Sequence, residues 1–136
     1  MLTFTEFKDQ IMNGERDHEV IHNKYAEYFR ENAQIGDGAT VHYWTDKEAY
    51  TIIRRTPKTL TLRRCKAILS PDFKPDFIPG GFAGTVVNQH EQSYTYEEDE
   101  NGRIVKAHWS EAKHGFYVDR CLFVSPGRHE FYEYNF

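Results

Sequence analysis

Six basic side chains, Arg54, Arg55, Lys58, Arg63, Arg64 and Lys66, crowd residues 54–66. Such a density of cationic groups can neutralise phosphates or meet an acidic protein face. The cluster falls on two β-rich runs, 49–55 and 59–64, separated by Thr56-Pro57-Lys58. Alternation along a strand puts Arg54 and Arg55 on opposite faces, and likewise Arg63 and Arg64. About half of the cluster can therefore share one surface. A nucleic-acid interface would add Trp44 and nearby tyrosines to stack bases while Arg55, Lys58 and Arg63 meet phosphates. The plainer reading of the same residues is a charged strand edge that resists aggregation.

Phe77 and Phe82 are further candidate contacts, in a stretch punctuated by Ser70-Pro71, Lys74-Pro75 and Pro79-Gly80-Gly81. Glu97-Glu98-Asp99-Glu100 is an acidic run that either meets a basic groove or forms a solvated turn. His18 and His22 stand one helical turn apart, a spacing that can place two imidazoles on one metal. No third ligand is identifiable, and His90, His108, His114 and His129 are scattered, so no metal ligand is assigned. Residues 79–84 are glycine-rich but match neither phosphate-loop pattern, and no helix follows them. Cys121 lies among Val118–Val124 and reads as a buried, inert core thiol. The sequence offers no catalytic residue and calls for no cofactor.

These side chains need a frame. Thr3 and Glu6 form a capping-box pattern for a helix over 3–13, stopped by Asn13-Gly14. A second helix runs over 16–32, with Val20, Ile21, Tyr25, Tyr28 and Phe29 repeating at three and four. Gly36-Asp37-Gly38 joins it to period-two runs over 40–45, 49–55 and 59–64, the first pair divided by Asp46-Lys47-Glu48. Cys65–Leu69 continues the third beyond a bend. Residues 70–92 are expected to form an ordered loop pinned by Phe73, Phe77 and Phe82. Strands over 94–97 and 103–109 flank an Asn101-Gly102 hairpin turn. The runs 115–118, 121–124 and 128–134 complete the sheet. Phe131, Tyr132, Tyr134 and Phe136 predict a closing strand packed beside Tyr25 and Phe29.

The fold class is therefore α+β: two N-terminal helices, then a mostly antiparallel SH3-like barrel or a more open curled sheet. The 136 residues make one domain, with a helical preface at 1–34 and the sheet at 35–136. Aromatic residues are 15% of the chain, so the core leans on large rings. The net charge of −4 argues against a general nucleic-acid binder. Two cysteines without paired spacing and no signal sequence point to a reduced, cytoplasmic setting. No apolar run approaches the ~18 residues that cross a bilayer, so no membrane partner is expected.

Residues 36–136 resemble a widespread group of small proteins carried by phages and integrative elements of Firmicutes. The likeness rests on GDGATVHYWTD at 36–46, TIIRRTPKTLTLRR at 51–64, PGGF at 79–82 and PGRHEFYEYNF at 126–136. It brings no catalytic residue to carry over. It implies a mobile-element setting, in which small accessory proteins act by binding, some as inhibitors of host defence systems including CRISPR nucleases. The expected function is a non-enzymatic macromolecule-binding protein with a protein partner, concretely an inhibitor of a bacterial defence effector. The alternatives are a nucleic-acid-binding SH3-like module and a small metal-dependent hydrolase. The sequence sets no oligomeric state.

Overall fold

The computed structural model describes residues 1–79 and 84–135. Helix α1 spans Phe4–Gln10, and the Thr3 hydroxyl at its N-cap accepts from the Glu6 amide at 3.2 Å. Helix α2 spans His18–Asn32, and Asp17 caps it by accepting from the Glu19 amide at 3.0 Å. Ile21, Tyr25 and Phe29, four apart, are its buried stripe, whereas Val20 stays exposed and Tyr28 half-buried. Phe7 locks the two helices together, its ring 5.2 Å from both Tyr25 and Tyr28.

Six strands close into an antiparallel barrel: β1 Gly38–His42, β2 Lys47–Thr56, β3 Thr59–Arg64, β8 Ile104–Ser110, β9 Gly115–Val118 and β10 Leu122–Pro126. Each pairs with its neighbours in that order, and β10 returns to β1. Closure leaves the barrel edge-free except at Lys47–Ala49, where β3 bends away from the start of β2. Inward alternation works as the sequence predicts in β3, where Leu60 and Leu62 are fully buried. In β8, Ala107 and Trp109 are buried and Val105 half-buried. Tyr50, Ile52, Val41, Phe116 and Val124 complete the interior, and Phe29 and Ala33 of α2 join the same cluster. Truncating a core side chain such as Leu60 to Ala should cost ~2–5 kcal/mol.

A β-arm interrupts the barrel between β3 and β8. It contains β4 Lys66–Leu69, β5 Phe77–Ile78, β6 Thr85–Val86, a 3-10 turn at Gln89–Glu91 and β7 Tyr94–Glu97. β4 pairs with β7, and β5 with β6, so the arm is a ribbon that bends away from the barrel at Cys65. The arm, the 43–46 turn and the 119–121 turn all leave one end of the barrel; α2 feeds into β1 from the other.

Several expectations are corrected. The first turn is at 43–46, because Lys47 and Glu48 already pair with His42 and Val41. The 128–134 run is not a strand: only Phe131 makes a bridge, to Lys47. Nor does it lie on the helices. It straps the outside of β1 and β2, where Thr40 donates to the Gly127 carbonyl and accepts from the His129 amide, both at 2.8 Å. It then meets the arm, with Tyr134 5.8 Å from Phe73. Phe73 is buried and pins the arm as predicted, but Phe77 is exposed. Phe82 and Phe136 lie outside the described residues.

Candidate functional site

The end of the barrel that carries the arm is held by charge. Arg64 donates to both carboxylate oxygens of Glu130, at 2.8 and 2.7 Å. Glu130 also accepts from the Ala49 amide at 2.8 Å. The Ala49 carbonyl still accepts from the Cys65 amide at 3.1 Å, but β3 bends off there, so the tail's carboxylate takes the Ala49 amide that a continuing strand would have bonded. Arg103 donates to Glu48 at 2.6 Å and to the hydroxyls of Tyr50 at 2.6 Å and Tyr43 at 3.0 Å. Burial is the main cause that holds the Tyr43 phenol well above its ordinary pKa, and the Tyr50 hydroxyl adds to it. Burial works against the charge of Arg64, but Glu130 outweighs it and the guanidinium is held more firmly protonated.

On the outer face a second network forms. Glu98 accepts from Thr51 at 2.7 Å and from Arg63 and Arg128 at 3.3 Å each. The Thr51 hydrogen bond, ahead of the two guanidiniums, pulls the Glu98 carboxyl below its usual range. Tail and arm are also laced by amides. Gln92 accepts from the Tyr132 amide and donates to its carbonyl, at 2.9 and 2.8 Å. Asn135 does the same for Val86, at 2.6 and 2.7 Å.

The elements on this braced frame expose several apolar side chains. Trp44, at the tip of the 43–46 turn, is 89% exposed, and Phe77 of β5 is 60% exposed. Ile78, Val87 and Tyr132 are exposed as well. The surrounding arm surface is acidic: Asp72, Asp76, Glu91, Glu97 and Glu100 are exposed, against Lys66 and Lys74.

The structure thus keeps two of the sequence-predicted contacts, Trp44 and Phe77, at one end, and takes the basic ones away from them. Lys58 and Arg55 lie at the far end of β2, about 30 Å from the Trp44 turn at ~3.3 Å per residue. Arg54 and Arg55 do face opposite ways, and a bulge at Ile53 decides which points in. It sets Arg55 opposite inward-facing Leu60, and the guanidinium donates to the Ala33 carbonyl at the end of α2, at 2.5 Å. Arg63 is spent on Glu98. The interface of Trp44 with Arg55, Lys58 and Arg63 is therefore not assembled. Tyr132, Ile78 and Val87 were missed because neither spacing nor charge marks them; only their exposure does.

For catalytic chemistry the findings are sparse. Cys121 is exposed in the 119–121 turn, not a core thiol; the buried cysteine is Cys65, whose sulfur is 3.2 Å from the Thr51 hydroxyl. Its strand-like neighbours hid that turn, where Asp119 and Arg120 take positive φ. Glu19 follows His18, so residues 18–22 spell His-Glu-Val-Ile-His, the helical pattern of zinc proteases. Here it forms the exposed start of α2, with His22 stacked on Phe4 at 4.7 Å. Among the described residues no three His, Cys, Asp or Glu side chains group as metal ligands. Among the described residues no helix is long and apolar enough to cross a membrane. Comparison of the chain with family models, curated proteins and solved structures finds no match.

Proposed function

We propose that this is a non-enzymatic binding protein that presses the arm end of its barrel onto a basic protein surface. The observation that carries the reading is that Trp44, Phe77 and Tyr132 are uncovered on elements at one end of the barrel, beside an arm whose exposed charges are mostly carboxylates. Large exposed rings on a rigid support are what interface centres are made of, and the acidic rim supplies orientation and on-rate. Nucleases present basic surfaces to their substrates. With the likeness to mobile-element proteins, the most concrete form is an inhibitor of a bacterial defence nuclease, CRISPR effectors included. The test is co-purification with purified defence nucleases, alongside protection of phage or plasmid in cells. Trp44→Ala with Phe77→Ala should weaken a true complex ~30-fold or more, as loss of an interface anchor does. No stable partner together with no protection would sink the reading.

The metal-dependent hydrolase has one observation in its favour, the His18-Glu19-x-x-His22 sequence, and no assembled third ligand to complete it. Zinc titration of untagged protein decides it: a stoichiometric site lost in His22→Ala would revive that reading, and no site would retire it.

A further inference from the structure

The register of the barrel sets three rings in a row on its outer surface. His108 of β8 stands opposite Tyr117 of β9, and Tyr117 opposite Phe123 of β10. Tyr117 and Phe123 ring centroids are 5.6 Å apart, and His42 of β1 lies 5.6 Å beyond Phe123. His108 is exposed and Phe123 is 37% exposed. Gly115 makes room for this row, since a Cβ there would come 3.2 Å from the Phe123 ring.

Cations flank the row. A cleft of about 960 Å³ over β8 and β9 is lined by Lys106, His108, Lys113, Tyr117 and Arg120, with Asp119 as its carboxylate. The register Arg54–Thr61–Lys106 adds Arg54 to the same face. Among the described residues none of Arg54, Lys106, Lys113 and Arg120 is in an ion pair. Arg63, Arg64, Arg103 and Arg128, by contrast, all are. Glu111, on the adjoining turn, is drawn off to Arg30 at 3.8 Å. Lys113 donates to the Arg120 carbonyl and sits 4.8 Å over the Tyr117 ring, which leaves His108 and Phe123 as the open rings.

We propose that this outer face of β8–β10 binds single-stranded nucleic acid. Open rings on a strand surface stack bases without regard to sequence, and unpaired cations beside them track the phosphates. Helix α2 borders the β10 side of this face, where Phe123 and His42 share a pocket with His22 and Ala26, and the strand surface beyond it offers rings that only unpaired bases can reach. The proposal uses residues separate from the arm-end surface, so it stands or falls independently of the protein-partner reading.

The experiment is fluorescence anisotropy with labelled 12-nucleotide oligo-dT and oligo-U. Four phosphate contacts give a salt slope of about −2.8, hence binding about 50-fold weaker at 200 mM than at 50 mM salt. Lys106→Ala with Arg120→Ala should halve the slope, leaving about a seven-fold change over that range. His108→Ala with Phe123→Ala should weaken binding and leave the slope unchanged, with a melting curve to confirm the fold. No binding at 50 mM salt overturns the proposal, as does a slope indifferent to Lys106 and Arg120. Equal affinity for duplex overturns the stacking role. Salt-sensitive self-association that these two alanines abolish would assign the cations to the acidic 97–100 run of a second copy instead.

Discussion

Replacing Glu130 with Ala tests whether the C-terminal strap is fastened by its ion pair. The substitution removes two charge-assisted hydrogen bonds from Arg64 and the only carboxylate that satisfies the Ala49 amide. Glu130 and Arg64 are 11% and 23% exposed at their side chains, so water replaces little of what is lost. Breaking a buried pair costs ~3–5 kcal/mol because the surviving charge is stranded. Glu48 remains 3.8 Å from Arg64 and compensates in part, which puts the expected cost at the low end, about 3 kcal/mol. For a chain of this size that lowers Tm by about 10 °C. The assay is urea unfolding followed by tyrosine and tryptophan fluorescence, with the slope of the transition unchanged if only the native state is affected. The double variant with Arg64→Met should lose much less than the two singles together, because no unpaired charge remains. A cost below ~1 kcal/mol for Glu130→Ala, or strict additivity with Arg64→Met, would refute the fastening.

Removing residues 131–136 should cost ~2–4 kcal/mol through the lost burial of Phe131 and Tyr134, and should open the 70–93 arm to limited proteolysis. An unchanged melting temperature with a still protease-resistant arm would show the strap is dispensable. Stability should fall on both sides of neutrality. On the acid side, burial first, then Lys47, hold the His42 pKa below its ordinary value. The unfolded chain therefore takes up a proton near pH 6.5 that the folded state resists, and stability declines as pH drops below ~6.5. Glu98 adds to this below the usual carboxylate range, where its depressed pKa means the folded form holds its charge longer. On the alkaline side, burial pushes Tyr25 and Tyr94 up to about 12 each, so the unfolded chain loses protons from ~pH 10 before the fold does. Tm measured from pH 4 to 11 should trace this dome, with the alkaline limb shallower in Tyr94→Phe.

What could be read from the sequence was what local patterns encode. Thr3 marks the start of α1 because capping is settled within three residues. Leu60, Leu62, Ala107 and Trp109 declare an inner face because alternation is a property of one strand. Tyr94–Glu97 and Gly115–Val118 fall where predicted, but the Asn101-Gly102 turn closes no hairpin, since 94–97 pairs with β4 and β8 pairs with β3. The failures share a different cause. Phe131 and its neighbours alternate like a strand, but the only open edge near them is the short one left at Lys47–Ala49 when β3 bends away. The Ile53 bulge, which sends Arg55 rather than Arg54 to the barrel mouth, depends on a partner strand. The ring row escaped notice because His42, His108, Tyr117 and Phe123 come from four strands and meet only through register.

The same distinction governs how the charge of this chain should be counted. A net charge of −4 argues against a polyanion partner only if the carboxylates are free to repel it. Several are not: Glu48, Glu98 and Glu130 hold Arg64, Arg63, Arg103 and Arg128 and serve to hang the arm and tail on the barrel. The exposed remainder of the acid lies on the arm, with Asp72, Asp76, Glu91, Glu97 and Glu100, and along the helices, with Glu6, Asp9, Glu15, Asp17, Glu19 and Glu31, while Lys106, Lys113 and Arg120 stay unpaired at the β8–β9 cleft. Screening makes such a division effective, since charges more than about 10 Å apart scarcely feel one another at ordinary salt. A ligand at the β8–β9 cleft meets a local field set by Lys106, Lys113, Arg120 and Asp119, with Arg54 two strands away, and not by the sum over the chain. The acidic arm and the basic flank can therefore serve partners of opposite charge on one small barrel.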